Sequence, residues 1–364
     1  MTRLNVGVDI GSTSIKAVQL KVSGKKVSIV KVAEVPLEIN TVVEGEVKNI
    51  EELSNSINEL WKIGKFGTKN VTVGLASQQT LVRDLAMPWE PSEIFRKTLP
   101  IRIGDTFPLP ARELILDYHP IDIYSAEELI QQRALIVGAK ISTAENVAEA
   151  LTLSKLRVKI ADFSPFALIR AGVVTQNKGM KNIQKANPSY EVIVELGGQV
   201  TLVAIHNQGK PLYVRIIPAG SDIVTKDLAD KLSIRFDVAE VLKKSIGLQK
   251  VGEEQTKSPI PKDVPDSSIP EAQYIINSMA GQLVQDVRNT VEYFLNSLPD
   301  SQGIDRVLLS GGGSLLPGYA ERVASELRAP TSFLAPMHAF SKNKNIKIKD
   351  PRMTIAFGLA LGVK

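Results

Sequence analysis

Asp9-Ile10-Gly11-Ser12-Thr13-Ser14 and Glu195-Leu196-Gly197-Gly198 set the same chemistry at two points of a 364-residue chain. In each, an apolar run leads to a carboxylate, glycine follows two positions later, and a second apolar run begins soon after. A carboxylate beside a glycine turn can hold a hydrated Mg²⁺. The amides and hydroxyls of such a turn, here including Thr201, can grip phosphate oxygens. Lys16 adds a cation that points either to a phosphate or to solvent. A third cluster, Gly311-Gly312-Gly313-Ser314, closes another apolar run. Consecutive glycines let a base or a phosphate come close to the backbone, or simply form a tight strand-to-helix turn. Gly220 precedes a predicted helix, where its backbone can approach a phosphate. Glu240 and Lys243 are three apart on one helix face, either a ribose-binding pair or an ordinary surface ion pair. The doubled motif suggests two related halves facing one nucleotide.

These residues need a frame, and the hydrophobic pattern supplies one. Val- and Ile-rich stretches at 4–10, 15–22 and 26–35 read as a three-strand meander with a turn at Gly24-Lys25. Leu53, Ile57, Leu60 and Trp61 predict a helix over 50–63, and 71–75 is a strand. A different unit then follows: a helix near 92–103 between proline breaks, strands at 114–121 and 133–139, and a helix at 143–154. We expect residues 81–158 to form a small inserted α+β subdomain, with a helix resuming at 163–175. The second half repeats the first plan, with strands at 191–196, 200–206 and 211–217 and helices at 221–232 and 237–246. Asp237 is the expected N-cap of the second of these helices. Polar, Pro-rich 252–270 reads as a mobile loop. Ile275, Met279, Leu283, Val287, Val291 and Phe294 mark one buried stripe of a long helix over 271–298. A strand at 307–310 and a helix at 318–328 follow. The fold class is α/β: residues 1–80 with 159–180 and 350–364 form one domain, and 185–349 form the other.

Composition narrows the chemistry further. Cysteine is absent, which excludes disulfides, thiol catalysis and Cys-zinc sites. The three histidines, His119, His206 and His338, show no ligand spacing. A net charge of +5 is compatible with a nearby acidic surface but does not demand one. The basic stretch Lys342–Lys349 reads as a solvated loop rather than a binding patch, and no nucleic-acid partner is expected. The longest apolar run, 355–363, is far short of the ~20 residues of a spanning helix. With no signal-peptide layout, the expectation is a cytoplasmic protein.

Taken in order, Asp9–Lys16, Glu195–Thr201, Ala239–Lys243 and Leu308–Gly318 resemble the actin-like ATPase superfamily, which includes actin, heat-shock chaperones, sugar kinases, MreB and FtsA. The inserted part sharpens the likeness. Arg83–Pro88, Phe107–Pro110, Leu116–Tyr118, Ala134–Ala139, Ala161–Phe163 and Ala167–Arg170 are similar to the PilM family of type IV pilus assembly, over nearly the whole chain. The resemblance implies two ribonuclease-H-like domains around a nucleotide cleft, with the insert placed as in FtsA. It implies ATP and Mg²⁺ as ligands: Asp9 and Glu195 hold the metal, mostly through water, and Gly11, Ser12, Thr13, Ser14 and Lys16 meet phosphate from one side. Gly197, Gly198 and Thr201 meet it from the other, Glu240 and Lys243 hold ribose, and Gly311, Gly312, Gly313 and Ser314 flank the adenosine. The implied partner is the N-terminal cytoplasmic tail of a PilN-like inner-membrane protein, docked between the insert and the first domain. Self-assembly is a further option, and membrane contact is expected only through the partner. Where relatives often place an acid that helps activate water, this chain reads Phe163-Ser164-Pro165, so ATP hydrolysis is expected to be slow or absent. An FtsA-like division filament and a type II secretion platform are the alternatives. Relatives of both kinds usually continue into a membrane helix, whereas this chain stops within a core-like segment.

Overall fold

The computed structural model describes residues 2–24, 26–126, 129–177, 190–248, 260–298, 303–340 and 350–362. The first half opens with β1 (Thr2–Ile10), β2 (Ser14–Ser23) and β3 (Lys26–Pro36). A small hairpin, β4 (Val42–Val43) and β5 (Glu46–Val47), then leads into α1 (Ile50–Gly64) and β6 (Asn70–Leu75). Asn49 caps α1 by accepting from the Glu52 amide at 3.0 Å. Next come β7 (Leu81–Pro88), α2 (Ser92–Arg102), β8 (Leu114–Ala126), β9 (Leu129–Lys140), α3 (Ile141–Leu153), β10 (Arg157–Phe163) and α4 (Ser164–Asn177).

The second half runs β11 (Tyr190–Leu196), β12 (Thr201–Asn207), β13 (Lys210–Ile217), α5 (Asp222–Leu232), α6 (Phe236–Ile246) and α7 (Ile269–Asn296). It continues with β14 (Ile304–Ser310), α8 (Tyr319–Leu327), β15 (Thr331–Phe333), α9 (Pro336–Phe340) and α10 (Thr354–Leu361). The two large sheets are ordered β10-β6-β1-β2-β3 and β15-β14-β11-β12-β13. In both, an antiparallel meander is extended by two parallel strands, so the halves share one plan. This is an actin-like α/β architecture with two sheet-containing domains.

The insert is shorter than the sequence suggested. β7, β9 and β8 form its sheet and α2 covers one face, burying Phe95 and Leu99 against Leu114, Ala134 and Ile136. Helix α3, expected inside it, instead places Val147, Ala150 and Leu151 in the first-domain core beside Leu53, Ile57 and Leu60 of α1. Its counterpart is α8, which occupies the same place between two parallel strands of the other half. The inserted stretch therefore closes at the end of β9. The opposite face of its sheet presents Ile121, Leu135 and Val137 to Leu202, Ala204 and Val214 of the second domain.

Two further expectations change. Arg235, not Asp237, is the residue before α6, and Asp237 lies inside the first turn, paired with Arg235. Of the loop 252–270, residues 252–259 lie outside the described residues. Val264 and Ile269 are buried in the second-domain core, and α7 already begins at Ile269. The Lys342–Lys349 stretch also lies outside the described residues.

Candidate functional site

The strand ends of both sheets meet at one interdomain cavity of about 680 Å³. On the first-domain side the Gly11 amide donates to the Ser14 carbonyl at 3.1 Å. On the other side the Gly197 amide donates to the Val200 carbonyl, also at 3.1 Å. Carboxylate, intervening residue and glycine thus build the same tight turn twice. The turns nearly touch: a methyl group on Gly198 would lie 2.7 Å from Ser12 Oγ and 3.0 Å from Thr13 Cγ2.

Asp9 and Glu195 sit at the ends of β1 and β11, one on each side of this meeting point. Burial pushes Asp9 up, against the pull of Lys16, whose Nζ lies 4.0 Å away. Burial likewise pushes Glu195 up to about 8, and the charge of Asp9 adds to the rise. Two crowded, desolvated carboxyls with one lysine between them are short of positive charge. A divalent cation supplies what this donor set lacks, so the residues fit the Mg²⁺ that the sequence implied.

Gly11, Ser12, Thr13, Ser14, Lys16, Gly197, Gly198, Glu240, Lys243, Gly312 and Gly313 all line the cavity. The remaining expected contacts do not. Thr201 is buried with its hydroxyl donated to the Ala219 carbonyl at 2.6 Å, and Ser314 is spent on the Gly311 carbonyl at 2.7 Å. Gly220 is pressed onto the turn from behind, where a methyl group would meet the Gly198 oxygen at 2.3 Å. Gly311, at φ +85°, lets its strand pass Leu196 and Glu195. These four build the cleft wall without reaching its surface.

Lys243 also departs from expectation. Its Nζ is fully engaged by the Ser221 carbonyl at 3.1 Å, Thr225 Oγ1 at 2.7 Å and Glu240 Oε2 at 2.6 Å. It positions Glu240 and has no donor left for a ligand. Burial alone would raise Glu240, yet the charge and hydrogen bond of Lys243, with the Thr225 hydrogen bond and the Lys244 charge, outweigh it and hold the carboxylate below its usual range. Ser14 gives its hydroxyl to Glu34 at 3.0 Å. The structure adds lining residues that the sequence did not single out: Glu34, Gln199, Asp222, Phe236, Lys244, Leu315, Pro317 and Arg352. Asp222 alone carried a local signal, as an acidic residue opening a helix after a glycine. Ser164 lies in the cavity wall beside Gly74, at the head of α4.

A family model described as type IV pilus assembly protein PilM matches residues 7–364. This chain belongs to the PilM family. Its role lies in type IV pilus assembly. Cell division protein FtsA of Bacillus subtilis (strain 168) is 22% identical over 384 residues, covering 98% of this chain and 82% of that protein. Among solved structures, the PilM-PilN type IV pilus biogenesis complex superposes with a TM-score of 0.80 at 20% identity, over 98% of this chain and 97% of that one. MreB5 of Spiroplasma citri bound to ADP gives 0.52 at 16% identity, over 98% and 94%. The PilM-family chain thus shares the actin-like fold of these two solved structures. Among the described residues, no helix is long and apolar enough to cross a membrane.

Proposed function

We propose that this PilM-family chain is a nucleotide-dependent scaffold: ATP with Mg²⁺ binds in the interdomain cleft, and a PilN-like membrane protein docks its N-terminal cytoplasmic tail on the same molecule. The observation that carries the nucleotide half is the pair of matching glycine turns, each preceded by a charge-starved carboxylate. In this reading Asp9 and Glu195 hold the cation through water. The Gly11 and Gly197 amides close the two turns, and the neighbouring amides of Ser12, Thr13 and Gly198 take phosphate, with Lys16 alongside. Glu240, set by Lys243, meets the ribose, while Gly312 and Gly313 flank the base. A divalent cation held there would offset the phosphate charge and let both carboxylates remain ionised. The fold supports the reading, since MreB5 is described with ADP and with AMPPNP. The solved PilM-PilN complex supports the partner half, and on this reading the chain sits at the inner face of the cytoplasmic membrane through that partner.

Calorimetric titration tests both halves. ATP is expected to bind wild type in Mg²⁺ and at least about tenfold more weakly in EDTA. Asp9→Ala should remove most of that difference, because a cation bridged to one carboxylate loses half its anchor. A PilN-type tail peptide should then bind with different affinity with and without Mg·ATP, since a switch requires differential affinity. Equal affinities would leave a scaffold without a switch. Absence of any adenine nucleotide uptake would falsify the nucleotide half.

A further inference from the structure

The end of the first-domain sheet that points away from the cleft is strongly basic. Register fixes which residues share that end: Arg3 pairs with Val22, Leu4 with Lys21, Ser23 with Lys26, and Asn70 with Arg157. At the other end of the same strands lie Ile10, Ile15, Leu75 and Phe163, beside the cleft. Helices α1 and α3 both terminate at the basic end. Their last turns and the links to β6 and β10 add Lys62, Lys65 and Lys69, then Lys155, and Lys159 follows near the start of β10. All these side chains are exposed. The stretches 1–8, 15–33, 60–80 and 150–161 contain no Asp or Glu at all. The nearest helical acids, Glu59 and Glu149, sit a turn further back. Among the described residues, none of these cations lies in an ion pair; the described pairs are elsewhere.

The bland explanation is helix-end electrostatics, since cations near a C-terminus complement the macrodipole. That covers Lys62, Lys65 and Lys155. It does not cover Arg3, Lys21 and Lys26, which are on strands. Nor does it explain the apolar side chains set among the charges: Leu4, Ile63 and Leu153 are 45%, 55% and 54% exposed. Exposed aliphatic groups spread through unpaired lysines suit a headgroup layer, where charge meets anionic lipid and alkyl groups enter the interface. Nucleic acid would instead favour exposed aromatic platforms. Among the described residues, the nearby aromatic pair, Trp61 and Phe66, is packed ring against ring at 4.9 Å. With strands about 5 Å apart, five strand ends make a face roughly 20 Å wide.

We infer that this basic end of the first domain lies directly on an anionic lipid bilayer, with the nucleotide cleft facing away from it. The contact supplements any tethering by a membrane partner, and two weak attachments to one surface multiply. It does not depend on the nucleotide reading.

The test is sedimentation of the full chain with vesicles of phosphatidylcholine alone, or of phosphatidylcholine with roughly one-third phosphatidylglycerol as the anionic probe lipid. Wild type should pellet with the anionic vesicles at low salt, stay in solution with the neutral ones, and be released as salt rises. The triple variant Lys21→Glu, Lys62→Glu, Arg157→Glu should lose at least about a hundredfold in partitioning, at about fivefold per basic residue removed. A control with equal charge change in the second domain, Lys226→Glu, Lys231→Glu, Arg235→Glu, should retain most of the binding. Because reversal can perturb folding, the same three first-domain positions are also changed to Gln, and each variant's thermal melt is recorded. Folded Gln variants that still pellet like wild type overturn the inference. So does equal loss in both triples, equal pelleting with neutral lipid, or preferential capture by single-stranded RNA competing away the vesicles.

Discussion

At the scale of the residue, the cleft divides into what spacing reveals and what only side-chain direction decides. Asp9 and Glu195 are legible because a strand, a carboxylate and a glycine in series leave little choice of where the acid ends up. Thr201 and Ser314 carry the same hydroxyl chemistry, but each turns inward to satisfy a nearby backbone carbonyl, a choice set by local backbone geometry. Glu34 and Arg352 reach the cavity from distant parts of the chain, so no local pattern marks them. Ser164 is the residue with the clearest consequence. It stands in the cavity wall, at the position where the actin-like resemblance implies a carboxylate base, and a serine hydroxyl cannot hold a proton taken from water. Basal ATP turnover is therefore expected to be very slow. General-base help is worth roughly 10²–10⁴ in rate. Ser164→Glu should recover the low end of that range, read as phosphate release per enzyme in Mg·ATP. The tight approach at Gly74, whose Cβ would lie 2.5 Å from Ser164 Oγ, warns that the larger acid must point into the cavity. A variant that binds ATP normally but turns over no faster would remove Ser164 from the account.

At the scale of the element, the strand meanders and α1 are plain from periodicity, whereas the end of the insert is not. Nothing in the local pattern of 143–154 tells whether its apolar stripe packs on the inserted sheet or on α1, because both partners are apolar. The repeat of the fold decides it. Helix α10 shows a second kind of information that burial patterns miss. It is apolar all round because it is wedged between β1 and α4. The crossings are so close that a Cβ on Gly358 would meet the Ala167 carbonyl at 2.0 Å, and one on Gly7 would meet the Ala356 carbonyl at 2.1 Å. Gly358→Val has no room to relax, since every near atom belongs to the Ala167 backbone. It should destabilise by about 3 kcal/mol or more, at the upper end of overpacking costs, seen as a lower urea midpoint.

The second-domain sheet offers a pH test at the same scale. His206 on β12 is buried, its Nδ1 accepts from the Gly209 amide at 3.2 Å, and its Nε2 lies 3.6 Å from Glu191 Oε2. Burial lowers its pKa to about 4, with Glu191 opposing and Arg306 assisting the drop. The unfolded chain, with its histidine near 6.5, therefore binds the proton more readily. Stability contributed by neutral His206 is complete above about pH 6.5 and is lost as the pH falls toward about 4. The Tm gap between wild type and His206→Gln should accordingly be widest near neutral pH and narrow through that window. A gap independent of pH would mean that the histidine does not stay neutral in the fold.

At the scale of the whole molecule, the two halves face one another across a cleft whose mouth is bridged. The Glu44 amide, at the tip of the β4–β5 hairpin, donates to Gln199 Oε1 of the second-domain turn at 2.7 Å. The hairpin side of this bridge is stiff. Glu44 and Gly45 both hold positive φ, the Gln78 amide donates to the Glu44 carbonyl at 3.0 Å, and Gly45 passes so close to Ala76 that a Cβ would sit 2.3 Å from its oxygen. The bridge therefore yields, if at all, on the Gln199 side. Gln199 directly follows Gly197 and Gly198, so on the proposed nucleotide reading this bridge breaks when the domains part to release the ligand. A hydrogen bond of this kind is worth about 1 kcal/mol net, or about fivefold in a rate if it is broken on the way out. Gln199→Ala should therefore raise the dissociation rate of a fluorescent ATP analogue about fivefold in stopped flow. Its thermal melt should barely move, because the side chain lies at the cleft mouth and supports no core. Gln199→Glu keeps an acceptor for the Glu44 amide but sets a second carboxylate beside that of Glu44, so it should also release faster than wild type. If both variants release the nucleotide at the wild-type rate, domain parting is not governed by this bridge and the exit path lies elsewhere along the cleft.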